Sequence, residues 1–162
     1  MEKTALLSDC GRYRYNLTRR WGAEDWCLFI MLNPSTADAS QDDPTIRRCM
    51  GFARKWGYGG LIVCNLFPLR ATDPQELYSA TYPASVGERN IAKVLSACAQ
   101  ANLIVCAWGN HGALRNAGAF CRKGLGEVHH HRLFNLGVTG IYQPKHPLYL
   151  KADTMPILWG DA

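Results

Sequence analysis

Short apolar runs along the chain predict the strands of a sheet. Residues 26–32 and 61–67 are almost unbroken apolar runs, and they predict buried strands because parallel strands covered on both faces lack polar alternation. Residues 102–108 predict a third strand and residues 131–136 a fourth. Residues 12–21 alternate loosely, which indicates an antiparallel strand at the edge of the sheet.

Amphipathic stretches between these runs predict helices. Asp43-Pro44 begins one helix, because Asp can accept the first free amides as N-cap and Pro suits the first helical position. Apolar residues then recur at helical spacing up to Trp56, and Gly57 ends the helix. A short helix is expected from Pro74. Longer ones are expected over residues 86–101, with Ile91, Val94, Leu95 and Cys98 facing inward, and over residues 113–123.

Strands that alternate with helices predict an α/β fold. We expect a three-layer α/β/α sandwich with a mostly parallel four-stranded central sheet plus an N-terminal antiparallel edge strand. The sequence has no linker, repeat or low-complexity tract, so residues 1–162 are expected to form a single domain. Ligands of such sheets bind where the strands reach their carboxyl ends.

Composition narrows the class of protein. The 48% of hydrophobic residues excludes a disordered chain, and no apolar run approaches the roughly 20 residues that span a bilayer. Seven scattered cysteines without a C-x-x-C pair indicate reduced thiols, a cytoplasmic location and no metal cluster or other cofactor. The histidines at 129–131 do not suggest a metal site, since consecutive strand residues point to alternating faces.

The charge of +5 suits a polyanionic partner, although a solvated basic face would give the same composition. The common phosphate-loop, dinucleotide, serine-hydrolase and zinc-protease motifs are absent from the sequence. No membrane association and no obligate protein partner are expected.

Polar residues at the ends of the predicted strands are the candidates for chemistry. Asn33-Pro34-Ser35 follows the first buried strand, Asn65 lies in the second, and Trp108 ends the third. A carboxamide held by a strand can position water or read the edge of a nucleobase. His146 lies in an irregular stretch and could donate to an anion. Each of these residues also has a purely structural interpretation. Asn33-Pro34-Ser35 could be only a turn, Asn65 could bond to local backbone, and His146 could be a surface histidine.

These segments, in order over residues 26–150, resemble the uracil-DNA glycosylase superfamily. FIMLNPS, at 29–35, is similar to the water-positioning motif of the mismatch-specific uracil and thymine glycosylases. The resemblance implies that Asn33 positions water, that Asn65 reads the extruded base and that His146 stabilises the departing base. KHPL, at 145–148, is similar to a His-Pro-Ser-Pro-Leu segment but lacks its Ser and second Pro.

The chain also resembles the family known as domain of unknown function 1643. The resemblance is carried by MLNPSTAD at 31–38, DDPTIRRC at 42–49, NLFPLRATDP at 65–74 and HPLYL at 146–150. This family brings no established activity.

Together these observations predict an enzyme that hydrolyses the N-glycosidic bond of a nucleobase in nucleic acid, DNA rather than RNA, or in a nucleotide. A non-catalytic nucleic-acid or nucleotide sensor stays open, as does a transferase acting on a modified base with Ser35 or Asp38 as nucleophile. The predicted site comprises catalytic Asn33 and His146; base-binding Pro34, Ser35, Asn65, Phe67 and Trp108; phosphate-binding Arg47, Arg48, Arg70 and Lys145; and duplex-inserting Leu148 and Tyr149.

Overall fold

Residues 1–160, which the computed structural model describes, form one seven-stranded sheet with four α-helices. Three short 3-10 helices lie in the connections, at Asn110–Asn116, His130–Arg132 and Pro147–Tyr149. The strands are β1 (Glu2–Leu7), β2 (Arg14–Arg20), β3 (Trp26–Met31), β4 (Gly60–Asn65), β5 (Leu103–Cys106), β6 (Leu133–Asn135) and β7 (Ile157–Leu158). The helices are α1 (Pro44–Lys55), α2 (Gln75–Ser79), α3 (Ala84–Gln100) and α4 (Ala117–His129).

The strand order is β1-β2-β4-β3-β5-β6-β7. The four central strands, β4, β3, β5 and β6, are parallel to one another, while β1, β2 and β7 are added antiparallel. The α/β class and the parallel four-stranded centre are confirmed. The predicted sheet is too small, because three strands rather than one are added to that centre.

The N-terminal addition is a hairpin, not a single edge strand. β2 pairs with both β1 and β4, so β1 forms the edge. The β1 residues carry no apolar run, since polar and apolar side chains mix in EKTALL and most of them are half-exposed. Pairing with β2 rather than burial makes this segment a strand, which explains why its hydrophobic pattern gave no signal.

Two apolar clusters cover the two faces of the sheet, which confirms the three layers. Along β3, Leu28 and Ile30 pack in the cluster under α3 and α4, whereas Cys27 and Phe29 pack in the cluster under α1. This strict alternation places every side chain of the strand in a core.

The sequence predicts α1 closely but only half of the buried face of α3, in which Val94 and Cys98 are buried as expected. Asp43 caps α1 by accepting a 2.8 Å hydrogen bond from the Ile46 amide, as its residue type indicates. In α3, Ile91 and Leu95 are 53% and 51% exposed, which contradicts the predicted inward face. Asn90 is buried in their place because its Nδ2 donates to Asn65 O and Leu66 O.

The sequence predicts strand positions for the histidines at 129–131, and this prediction is wrong. His129 ends α4, and His130 and His131 begin a 3-10 helix, while β6 starts only at Leu133. Within residues 1–160, no group of three or more His, Cys, Asp and Glu side chains is arranged to hold a metal ion. No helix in the same range is long and apolar enough to cross a bilayer.

Candidate functional site

A cavity of about 360 Å³ opens where the carboxyl ends of β3, β4 and β5 meet. This is the position expected for ligands of a parallel sheet, because the loops that follow the strands converge there. Its volume is at the small end of the range for pockets that enclose one small molecule. The polar side chains of its wall include Arg14, Asn33, Ser35, Asp43, Asn65 and His146.

Asn33 follows β3, and its carboxamide is held by backbone groups. Nδ2 donates to Ala71 O at 2.8 Å and to Pro34 O at 3.0 Å. Pro34 is buried and does not line the cavity, whereas Ser35 is half-buried and does. A third and longer contact runs to Leu69 O at 3.5 Å, and because all three Nδ2 contacts are to the main chain, the orientation of the Asn33 carboxamide is fixed.

Asn65, the last residue of β4, is 1% exposed and lines the cavity. Its Oδ1 is buried and has no hydrogen-bond partner among the described residues. Such an acceptor costs on the order of 1–3 kcal/mol unless a donor reaches it. The side chain therefore suits a ligand that presents an N–H or O–H group.

His146 is half-buried and lines the same cavity, and its Nδ1 accepts a 3.2 Å hydrogen bond from the Leu148 amide. Burial lowers the pKa of His146 below its ordinary value, and the Asp43 carboxylate opposes this shift without reversing it. The ring is neutral at pH 7, and because Nδ1 is an acceptor, its proton lies on Nε2. His146 is consequently a neutral donor.

Trp108 closes the cavity after β5 and is 2% exposed. Its Nε1 donates to Gln143 Oε1 at 2.9 Å, so the indole N–H is already satisfied. Gly112 admits the ring, since a Cβ there would lie 2.0 Å from Trp108 Cδ1. Trp108 therefore offers the cavity an apolar surface, and the next residue, Gly109, has a positive φ of 71° and donates its amide to Pro144 O at 2.8 Å.

Asp43 and Arg14 bring charge to the cavity. Asp43 lies at the start of α1, where one carboxylate oxygen caps the helix. Arg14, the first residue of β2, is 2% exposed; its Nη1 donates to Ala37 O at 2.7 Å, and its Nε has no partner. Burial lowers the pKa of Arg14 to about 10, so the guanidinium stays charged at pH 7.

A β-bulge turns Arg14 toward the cavity. Leu6 pairs with Asn16, but Leu7 pairs with Arg14, so Tyr15 is an extra residue in β2. An extra residue reverses the alternation of side chains. Tyr15 accordingly packs in the cluster under α3 and α4, although Leu17 packs in the cluster under α1. Arg14 then faces the α1 side, on which the cavity lies.

The cations predicted from sequence to bind phosphate do not line this cavity. Arg47 donates to Asp42 O, Arg48 lies 5.0 Å from the Phe52 ring centroid, and Arg70 donates to Gly11 O at 3.2 Å. Lys145 is exposed beside Gly137. Their predicted role stays a prediction for a ligand that extends beyond the cavity.

Phe67 and the two predicted duplex-inserting residues also lie outside the cavity. Phe67 lines a separate apolar groove of about 400 Å³ between α3 and α4, with its ring 6.0 Å from that of Tyr82. Leu148 is half-buried, and Tyr149 is 92% exposed on the 3-10 helix that follows His146. Tyr149 is thus free to meet a ligand outside the cavity.

The cavity collects Asn33, Ser35, Asn65, Trp108 and His146 of the predicted site. Sequence reasoning missed the ligand-facing roles of the other polar residues. The sequence indicates Asp43 only as a helix cap, and it gives Arg14 no role beyond its share of the net positive charge. The remaining missed polar residues of the wall are Thr45, Thr72, Asn110 and His111.

Fold and cavity together define an α/β protein with a partly polar cavity of about 360 Å³ at the carboxyl edge of its parallel strands. The chain belongs to the family described as "Protein of unknown function (DUF1643)", whose model matches residues 14–148. The matched range includes every residue of the cavity wall. No curated protein and no solved structure matches the chain significantly.

Proposed function

We propose that the chain hydrolyses the N-glycosidic bond between a nucleobase and its sugar, in a nucleic acid or a nucleotide, as a member of the uracil-DNA glycosylase-like superfamily. One observation carries the proposal: the unpartnered Asn65 Oδ1 and the neutral donor His146 line the same cavity. An acceptor and a donor in one cavity match the polar edge of a base, which presents both kinds of group.

His146 assists the departure of the base. As the glycosidic bond stretches, negative charge grows on the base, and a fixed donor lowers the barrier if its hydrogen bond strengthens in the transition state. The Nε2–H of His146 is such a donor. A neutral ring also suits this role, because a neutral donor avoids the cost of keeping a charged imidazolium in a site that excludes water.

Asn33 positions the attacking water. Its Nδ2 is bound to Ala71 O and Pro34 O, which leaves Oδ1 to accept from a water molecule. A carboxamide does not remove a proton from water at neutral pH. The water therefore adds to C1′ of a sugar that has already gained positive character as its bond to the base breaks, and the proton that the water loses neutralises the departing base anion.

Asp43 supplies the negative charge that such a sugar needs. It is the carboxylate on the cavity wall, and α1 fixes its position through the 2.8 Å bond from the Ile46 amide. A fixed carboxylate stabilises an oxocarbenium-like sugar by electrostatics without forming a bond to it. Asp43 thus complements the donor at the base.

The test is release of free base from oligonucleotides and nucleotides that carry uracil, mismatched thymine or modified bases. His146→Ala should lower the rate roughly 100- to 1000-fold, the usual cost of removing one such donor. His131→Ala removes an exposed imidazole outside the cavity and serves as the matched control. Equal rates for the two variants would remove His146 from the mechanism.

A nucleotide sensor is the second candidate. The observation that favours it is that Asn33, which lines the cavity, has a carboxamide. A carboxylate at this position could accept a proton from the attacking water, whereas a carboxamide cannot. In that case the same ligands bind without release of base, and His146→Ala weakens binding only. A transferase is less well supported, because Asp38 Oδ1 already accepts from the Ser40 and Gln41 amides.

A further inference from the structure

We propose that the cavity takes a nucleoside monophosphate, whose terminal phosphate pairs with Arg14 inside the protein. This inference rests on the proposed function for the base and sugar, and it names the substrate class. The feature that carries it is a buried cation on the cavity wall for which the protein supplies no anion.

The electrostatics of Arg14 are incomplete without a ligand. Among residues 1–160, no carboxylate lies within ion-pair distance of its guanidinium. Its one hydrogen bond goes to Ala37 O, and Nε is buried without a partner. Burying a charge is costly unless it is paired and hydrogen-bonded. A phosphate that enters the cavity would supply both the charge and the missing acceptors.

Neighbouring charges support an anion at this position. Asp43 lies near enough to raise the pKa of Arg14, but Arg70 lies near enough to lower it. Because Arg70 adds a second positive charge beside Arg14, the single carboxylate does not neutralise this end of the cavity. The N-terminus of α1 does not compete for the phosphate, since Asp43 already accepts from the Ile46 amide there.

The burial of Arg14 favours a terminal phosphate over the backbone of a polymer. The side chain is 2% exposed, so a phosphate must enter the cavity to reach it. A bridging phosphate is joined to a nucleotide on each side, so the polymer would have to enter and leave a cavity of only about 360 Å³ to bring that phosphate to Arg14. A monoester has one substituent and presents three oxygens to the guanidinium fork.

The experiment is calorimetric titration of the full chain with the 5′-monophosphates of uridine, thymidine, cytidine, adenosine and guanosine, in ribo and deoxy forms. Matching nucleosides, inorganic phosphate and a 12-nucleotide single strand and duplex complete the series. At least one monophosphate should bind roughly 10- to 100-fold more tightly than its nucleoside, as expected for charge-assisted hydrogen bonds.

Two variants locate the effect. Arg14→Gln should abolish the difference between monophosphate and nucleoside, while Arg12→Gln should preserve it. Both remove one positive charge two residues apart, but Arg12 is exposed. If Arg14→Gln does not fold, the comparison of ligands on the unaltered protein decides. Equal affinity for nucleosides and monophosphates, or tighter binding of the oligonucleotides than of every monophosphate, overturns the proposal.

Release of base, followed in the same samples, separates this proposal from the proposed function. Arg14-dependent binding of a monophosphate without release supports the phosphate site and rejects hydrolysis. Release from an oligonucleotide, with no monophosphate bound, rejects the phosphate site and supports hydrolysis.

Discussion

Two buried arginines on the same strand have opposite surroundings. Arg19, near one end of β2, is 0% exposed and donates to Asp42 Oδ1 at 2.6 Å and to backbone carbonyls, among them Asp38 O at 2.6 Å. Arg14, at the other end, has one carbonyl acceptor and an unpartnered Nε. Protein groups complete the first site, whereas the second faces a cavity.

The difference teaches how to separate a structural cation from a binding one. Burial does not distinguish them, and neither does residue type. The number of hydrogen-bond partners does distinguish them, because a buried guanidinium left unpaired destabilises the fold, so an arginine that serves only the fold is expected to be fully paired.

Asp42→Ala should lower the free energy of unfolding by about 3–5 kcal/mol, because it leaves Arg19 charged and buried without a counterion. Urea unfolding at pH 7 measures the effect. Asp43→Ala is the matched control and should cost only about 1 kcal/mol, the usual loss for an N-cap. A similar loss in both variants would show that Asp42 does not compensate a buried charge.

Acid should remove the contribution of the Asp42 carboxylate. Burial raises the pKa of Asp42, but the hydrogen bonds and positive charges of Lys3 and Arg19 together lower it by more, so its folded pKa lies below the ordinary value. The stabilisation is therefore present above the ordinary carboxyl pKa of about 3.9 and is lost as pH falls through the folded value.

Urea unfolding of the unaltered protein and of Asp42→Asn, compared between pH 7 and pH 3, checks this dependence. The difference should be about 1.5–3 kcal/mol at neutral pH, as for hydrogen bonds to a charged group, and should shrink below pH 4. A difference that stays constant over this range contradicts the assigned role of the carboxylate.

Arg14→Met should leave the free energy of unfolding unchanged or raise it by about 1 kcal/mol, because it replaces an incompletely paired buried charge with an apolar side chain. Arg19→Met, on the same strand, should be destabilising, since it leaves Asp42 Oδ1 and several backbone carbonyls without their donor. Parallel urea titrations compare the two variants. Equal destabilisation would remove the distinction between the arginines.

Asp43→Asn should have the smallest effect on folding, within about 0.5 kcal/mol, because Asn and Asp cap helices equally well. Its effect on His146 should be visible by NMR titration. The Asp43 carboxylate raises the pKa of His146, so its removal should lower that pKa further. An unchanged or higher value would place the two side chains too far apart to act on one ligand.

Much of the frame could be predicted from sequence because local signals agree with the fold. The apolar runs identify β3, β4 and β5, and Asp43-Pro44 identifies the start of α1. The carboxyl ends of parallel strands then bring Asn33, Asn65 and Trp108 to one cavity without further information. Strands that are apolar on both faces are typical of parallel sheets covered by helices, so few other sheet arrangements fit these runs.

The remainder depends on contacts between distant segments. Asn90 is buried only because it reaches Asn65 O and Leu66 O, so helical periodicity alone favoured Ile91 and Leu95. Arg14 faces the cavity because of a bulge whose register is set by β1, a strand without an apolar pattern. Basic composition indicated Arg47, Arg48 and Arg70, which are exposed or half-buried, as anion-binding, whereas the arginine of the cavity wall is buried.

Hydrolysis in water enriched in ¹⁸O tests the account most directly. The proposed mechanism adds water to the sugar, so a substrate nucleotide should yield free base and a sugar that carries ¹⁸O at C1′. Asn33→Ala, which removes the group proposed to position that water, should greatly reduce the labelled product. Binding without labelled product in the unaltered protein would contradict hydrolysis at this cavity and would identify the chain as a sensor.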